Sequence, residues 1–185
     1  MIDAIHKSFR KGVDHRFNQS ANTWFIEEDD PGAFVKQVDI EVGSGIKTCC
    51  IKLDNKRYGH LCTYLNKLQK GFTAACDAMM FVETSSEFVV LLIELKSDNF
   101  DKSDLARKYH ASSEFLKYSL GMMRNIKKLS IPSPKVLNIL FSSQPVAGSN
   151  PRQPITFQKD GVSIRQYYAF KHPKSAKFNV CNVIR

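Results

Sequence analysis

The stretch FVVLLIELK, Phe88 to Lys96, limits the possible fold more than any other, because six consecutive apolar residues lead into Glu94-Leu95-Lys96. A run this apolar and rich in β-branched residues reads as a strand covered on both faces, since neither face carries the polar alternate residues that water would call for. Its partner stands just before it. Ala75 to Val82 is a second apolar run, interrupted by Asp77, and Thr84-Ser85-Ser86-Glu87 separates the two. Strands this close in sequence are expected to pair as a hairpin. If Ser85-Ser86 form a two-residue turn, positions i and 171 − i face each other, which sets Met80 opposite Leu91 and Asp77 opposite Glu94. Opposed residues share a face with Cβ atoms roughly 5 Å apart. Lys96, two residues beyond Glu94, shares that face as well. A register slip of one residue would separate the two acids.

The pattern raises a choice between chemistry and simple geometry. Glu-x-Lys at the end of a buried strand is one way a strand reaches solvent, and Asp77 could cap a turn or meet a lysine. Against that, an unpaired carboxylate within Ala74-Ala75-Cys76-Asp77-Ala78-Met79-Met80 is costly in such apolar company. Two carboxylates brought together repel unless a cation lies between them. Their hard oxygen donors suit Mg²⁺ or Mn²⁺.

The remaining chain reads as a mixed β-sheet flanked by helices, an α/β (α+β) class. A short helix is possible over Ile2 to Arg10. Phe34, Val38, Ile40 and Val42, then Gly43-Ser44-Gly45, then Ile46 to Leu53 predict a hairpin within an N-terminal region of residues 1–54. Leu61, Tyr64, Leu65, Leu68 and Phe72 recur at helical spacing and predict an amphipathic helix over about 58–70. Asp101 or Ser103 can cap a second helix, from about Asp104 to Met123, with Leu105, Tyr109, Leu116, Leu120 and Met123 as its apolar stripe. Val136 to Phe141 reads as another buried strand, residues 142–154 as a loop, and Val162 to Phe170 as a last strand in the basic segment 152–185. At 185 residues the chain suits a single domain with a full core.

Charge and composition narrow the partners. The net charge is +9, and residues 152–185 hold seven bases against Asp160 alone, while residues 47–70 hold six against Asp54. Such segments, interleaved with aromatic residues, suit a nucleic-acid surface, although a basic balance also serves plain solubility. No apolar run approaches the roughly 20 residues of a membrane helix, and MIDAIHKSFRKG is no signal peptide, so the expectation is a cytoplasmic protein without a membrane partner. Five cysteines, with no CxxC pair, indicate neither a disulfide framework nor a zinc ribbon, and His60 with Cys62 is too small a ligand set. No GxGxxG, GKS/T or GxSxG motif is present, so neither a nucleotide fold nor a serine nucleophile at Ser112 or Ser113 is expected.

Asp77, sixteen intervening residues, then Glu94-Leu95-Lys96 at the end of an apolar strand resembles the PD-(D/E)xK nuclease superfamily, with its restriction-endonuclease-like core. The resemblance spans about residues 55–145, where helix, hairpin, helix and strand follow in that fold's order. It departs from the pattern in three places. Cys76 replaces the proline, no acid occurs over 55–76, and no QxxxY follows the lysine. The resemblance implies that Asp77, Glu94 and the Leu95 backbone carbonyl hold Mg²⁺ or Mn²⁺, and that Lys96 orients or deprotonates the attacking water and stabilises the transition state. It further implies a metal-dependent nuclease, acting on DNA more than RNA, as a homodimer or a subunit of a larger assembly, in a restriction or anti-phage setting. Lys67 and Lys70 are candidate phosphate contacts, or equally the solvated face of their helix; Arg107 and Lys108 are candidates too, with the solvated face of the next helix the favoured reading. The alternative functions are a non-catalytic nucleic-acid-binding protein that keeps the fold, and a protein-interaction subunit.

Overall fold

The computed structural model describes residues 1–28, 33, 35–54, 74–96, 100–143, 155–159, 162–171, 177–182 and 184, with backbone alone over 155–159, 162–169, 171 and 182. In chain order the elements are α1 (Ile2–His6), β1 (Arg16–Asn18), β2 (Thr23–Glu27), β3 (Gln37–Glu41), β4 (Lys47–Lys52), β5 (Ala78–Glu83), β6 (Phe88–Lys96), α2 (Lys102–Asn125), β7 (Lys135–Ser142), β8 (Ile155–Lys159), β9 (Val162–Lys171) and β10 (Lys177–Asn179). Two mixed sheets result, ordered β1-β2-β3-β10 and β4-β5-β6-β7-β9-β8. The fold is α+β.

The larger sheet carries the expected hairpin in the expected register. Met80 pairs with Leu91, Ala78 with Ile93 and Glu83 with Phe88, and the Thr84 N–H donates to the Glu87 carbonyl across a two-residue turn. Thr84 Oγ1 accepts from the N–H groups of Ser86 and Glu87, satisfying donors that the tight turn frees. From β6 the chain crosses through α2 to β7, which lies parallel to β6, and β9 extends the parallel run. A crossover of that kind needs a helix-length connection. α2 supplies it over 24 residues, capped by the Asp101 carboxylate on the Ser103 N–H. Its buried stripe runs through Leu105, Tyr109, Leu116, Leu120 and Met123 as the spacing predicts, with Ser112, Ser113 and Ser119 between them.

Strand alternation sorts the core into two layers. On one face of the large sheet, Met79, Phe81, Val90, Leu92 and Leu140 pack against Ile2 and Ile5 of α1 and the α2 stripe. On the other, Met80, Val82, Leu91, Ile93, Leu95 and Ile139 meet Trp24, Ile26, Val38, Ile40 and Phe178 of the small sheet. Thus β5 and β6 are covered on both sides, which is why their sequences show no polar alternation. Among the described residues, helices cover one face of the large sheet and the small sheet covers the other.

The predicted hairpin over Phe34 to Leu53 does not form. β3 pairs with β2 and β10 in the small sheet, whereas β4 pairs with β5 in the large one. Gly45, at φ +77°, does make a turn, but that turn passes the chain between layers. The Val42 N–H donates to the Asn22 carbonyl and the Val42 carbonyl accepts from Asn22 Nδ2, so β3's end is held by the β1–β2 loop. Trp24 Nε1 donates to Thr48 Oγ1 at 2.8 Å and fastens the two sheets together. The helix expected over 58–70, with Lys67, Lys70, His60 and Cys62, lies outside the described residues.

Candidate active site

The open end of the β5–β6 hairpin is where the acids meet. Asp77 precedes the first residue of β5, and its backbone carbonyl still accepts from the Leu53 N–H on the β4 side, at 3.1 Å. On the β6 side its carboxylate replaces the ladder, with Oδ2 accepting from the Leu95 N–H. The residue before it is pinned too, since the Cys76 N–H donates to Ser112 Oγ of α2 at 2.9 Å. Ser112 is therefore a buried support for this corner. Continuing the ladder one step past Ala78 and Ile93 puts Asp77 opposite Glu94, on the same face as Met79 and Leu92, beneath α2.

Glu94 is fully buried, with 0% exposure, and Asp77 is 7% exposed. Glu94 Oε1 accepts from two ammonium groups, Lys96 Nζ at 2.8 Å and Lys108 Nζ at 2.6 Å. Its other oxygen, Oε2, is buried without a hydrogen-bond partner. A buried carboxylate oxygen left unpaired carries a desolvation cost of about 1–3 kcal/mol or more, so such an atom needs a reason. The Leu95 carbonyl adds a further donor. In an antiparallel ladder a residue's N–H and C=O face the same neighbour. Because the Leu95 N–H meets Asp77, its carbonyl is directed to that flank, while the Lys96 carbonyl faces β7 and accepts from the Ser143 N–H.

The electrostatics follow from burial and proximity. Burial first, and the Glu94 charge second, push the Asp77 carboxyl well above the usual carboxylate range, against the opposing pull of Lys108 and the Leu95 N–H. Glu94 is raised by burial and drawn back by Lys108 and then Lys96. Burial alone would lower Lys108, but Glu94 and Asp77 outweigh it and hold the ammonium above the ordinary lysine value. Both acids ionised would balance the two ammonium groups, and burial opposes that state at Asp77.

The donor set fits a hard divalent cation. Glu94 Oε2, the Asp77 carboxylate and the Leu95 carbonyl are all oxygens, which Mg²⁺ and Mn²⁺ prefer. Among the described residues no group of three or more His, Cys, Asp or Glu side chains comes together, so protein side chains would supply only part of a coordination shell. Mg²⁺ commonly binds that way, through one or two carboxylates with water and substrate phosphate completing the shell.

Asp77, Glu94 and Lys96 thus stand together as the hairpin register predicts. Lys108 does not lie on a solvated face. It belongs to the same cluster, and helical spacing carried the signal, because position 108 falls between Leu105 and Ser112 on the buried stripe. Arg107 bonds Asp104 Oδ1 at 3.3 Å and Ser103 Oγ, so its guanidinium is engaged at the start of α2. No protein-family model matches this chain, and no curated protein or solved structure matches it either. None of the described helices is long and apolar enough to cross a membrane.

Proposed function

We propose that the protein is a metal-dependent nuclease that hydrolyses phosphodiester bonds, with DNA as the preferred substrate, and that its active site is the cluster of Asp77, Glu94, Lys96 and the Leu95 carbonyl. The observation that carries this reading is the buried Glu94. One of its oxygens is doubly tethered by lysines and the other is buried without a hydrogen-bond partner, on the face that carries a second carboxylate. Asp77, Glu94 and the Leu95 carbonyl would hold Mg²⁺ or Mn²⁺. Such a cation supplies Lewis-acid polarisation of a phosphoryl oxygen and a lowered pKa for water. Lys96, 24% exposed at the end of β6, can turn its ammonium from Glu94 towards a bound phosphate and offset the negative charge that develops there. The Leu95 N–H fixes the Asp77 carboxylate, and the α2 wall keeps that end of the sheet dry. Once a divalent cation draws both acids into the ionised form, their charges balance the two lysines and the cation leaves the site net positive, as a polyanionic substrate requires. The chain's net charge of +9 supports the same substrate class.

The pairing of both lysines with Glu94 also favours a second reading, in which the lysines and acids are a structural tie between β6 and α2 in a non-catalytic nucleic-acid-binding protein. Nicking of supercoiled plasmid with Mg²⁺ or Mn²⁺, against an EDTA control and the Asp77→Asn and Lys96→Met variants, separates the two. The nuclease reading expects cation-dependent nicking by the wild type alone. Salt-sensitive DNA binding without cleavage would establish the structural reading in its place.

A further inference from the structure

Two ammonium groups on one carboxylate oxygen is more than charge balance at that atom asks for, and the two lysines are held very differently. Lys96 is the last residue of β6. Lys108 lies two turns into a capped helix, flanked by the buried Leu105, Tyr109 and Ser112, and makes the shorter contact with Glu94 Oε1, 2.6 Å against 2.8 Å. Ser112 of the same helix also holds the Cys76 N–H, so α2 braces both carboxylate-bearing strands at once. A tether from a rigid helix keeps a side chain in one rotamer, whereas a tether from a strand end can be given up.

We infer that Lys108 is a positioning residue of this site. It anchors Glu94 through Oε1, which reserves Oε2 for the cation and releases Lys96 to serve the reacting phosphate. The inference rests on the nuclease reading above and adds a division of labour between the two lysines. Lys108 touches neither cation nor substrate in this scheme; it acts through Glu94.

The test is calorimetric titration of Mn²⁺ alone into the wild-type chain, Lys96→Met, Lys108→Met and Lys108→Arg, with thermal melts and plasmid cleavage measured in parallel. The two methionine variants remove the same charge from the same oxygen, so general electrostatics moves their Mn²⁺ affinities equally. Lys96→Met is expected to keep Mn²⁺ affinity close to wild type while losing cleavage. Lys108→Met is expected to bind Mn²⁺ at least about tenfold more weakly than Lys96→Met, the usual scale for removing a group that orients a ligand. Lys108→Arg, which keeps charge and a donor, is expected to recover most of that affinity. If Lys108→Met does not melt cooperatively, Lys108→Gln, which retains one donor, takes its place with the same expectation. Equal Mn²⁺ affinity in the two methionine variants, or undiminished cleavage by Lys108→Met, overturns the positioning role and leaves the nuclease reading intact. A wild type that neither binds Mn²⁺ nor cleaves overturns the nuclease reading, and the positioning role with it.

Discussion

The two ends of one hairpin carry similar charges and treat them in opposite ways. At the turn end, Glu83 meets the N-terminal amine at 3.6 Å and Glu87 faces Lys135 at 4.0 Å, with side chains 27% and 43% exposed. Water screens these pairs, and such contacts are worth about 0–1 kcal/mol. At the open end, six residues from Phe88 along the same strand, Glu94 is fully enclosed and takes two lysines on one oxygen. Strands often end in charge, so charge at a strand end carries little information. Charge that stays under a helix after the ladder has ended is different, because its burial has to be offset by something. The open end therefore calls for an explanation that the turn end does not.

The sharpest way to break this contrast is by activity. Asp77→Asn is expected to lower Mn²⁺-dependent nicking by about a thousandfold or more, equivalent to roughly 4 kcal/mol of barrier, while Glu87→Gln at the turn leaves the rate unchanged. Comparable losses at both ends would mean that the open end holds no catalytic machinery. Next in size is stability. Glu94→Ala strands two ammonium groups beside each other, and removing one partner of a buried pair costs about 3–5 kcal/mol. Glu87→Ala should cost no more than about 0.5 kcal/mol. Urea unfolding of both variants reads the difference directly.

A smaller effect has the opposite sign. Because Asp77 is raised on folding, its protonated form is the one the fold prefers. Its contribution is fully present below the unfolded-state pKa and is lost as pH rises through the raised value. Asparagine keeps an acceptor for the Leu95 N–H and does not titrate. Asp77→Asn is thus expected to be more stable than wild type by about 1 kcal/mol at alkaline pH, a gain of the size seen when functional strain is relieved. That margin should shrink towards acid pH. A margin that grows as pH falls would mean the carboxylate is held ionised by Lys108. The smallest expected effect is at the turn, where Lys135→Ala should change stability by less than about 0.5 kcal/mol and lose even that at high salt.

The contrast between regions also governs what was legible in the sequence. The β5–β6 register could be read because Thr84 to Glu87 leaves room for a single tight turn and both arms are continuously apolar. Asp77 and Glu94 follow from that arithmetic. The Phe34 to Leu53 reading failed because a Gly-Ser-Gly turn specifies a reversal of direction and not a partner. The discriminating signal was present: Val38 and Ile40 alternate with polar residues, as a strand covered on one face does, whereas Thr48 to Ile51 has no charged interruption, as a strand covered on both faces does. Lys108 was harder to place, since a lysine at a helix position with buried neighbours can snorkel to water or turn inward. Only the packing of α2 on β6 decides between those, and Glu94 is the residue that decides it.

The central claim is that Asp77 and Glu94 share a cation, and a crystal structure grown with Mn²⁺ and measured for anomalous scattering tests it most directly. The account predicts an anomalous peak roughly 2.1–2.2 Å from Glu94 Oε2 and an Asp77 oxygen, near the spacing such cations keep, with Lys108 still on Glu94 Oε1. An empty site, with Lys96 and Lys108 both closed on Glu94 at saturating Mn²⁺, would contradict it.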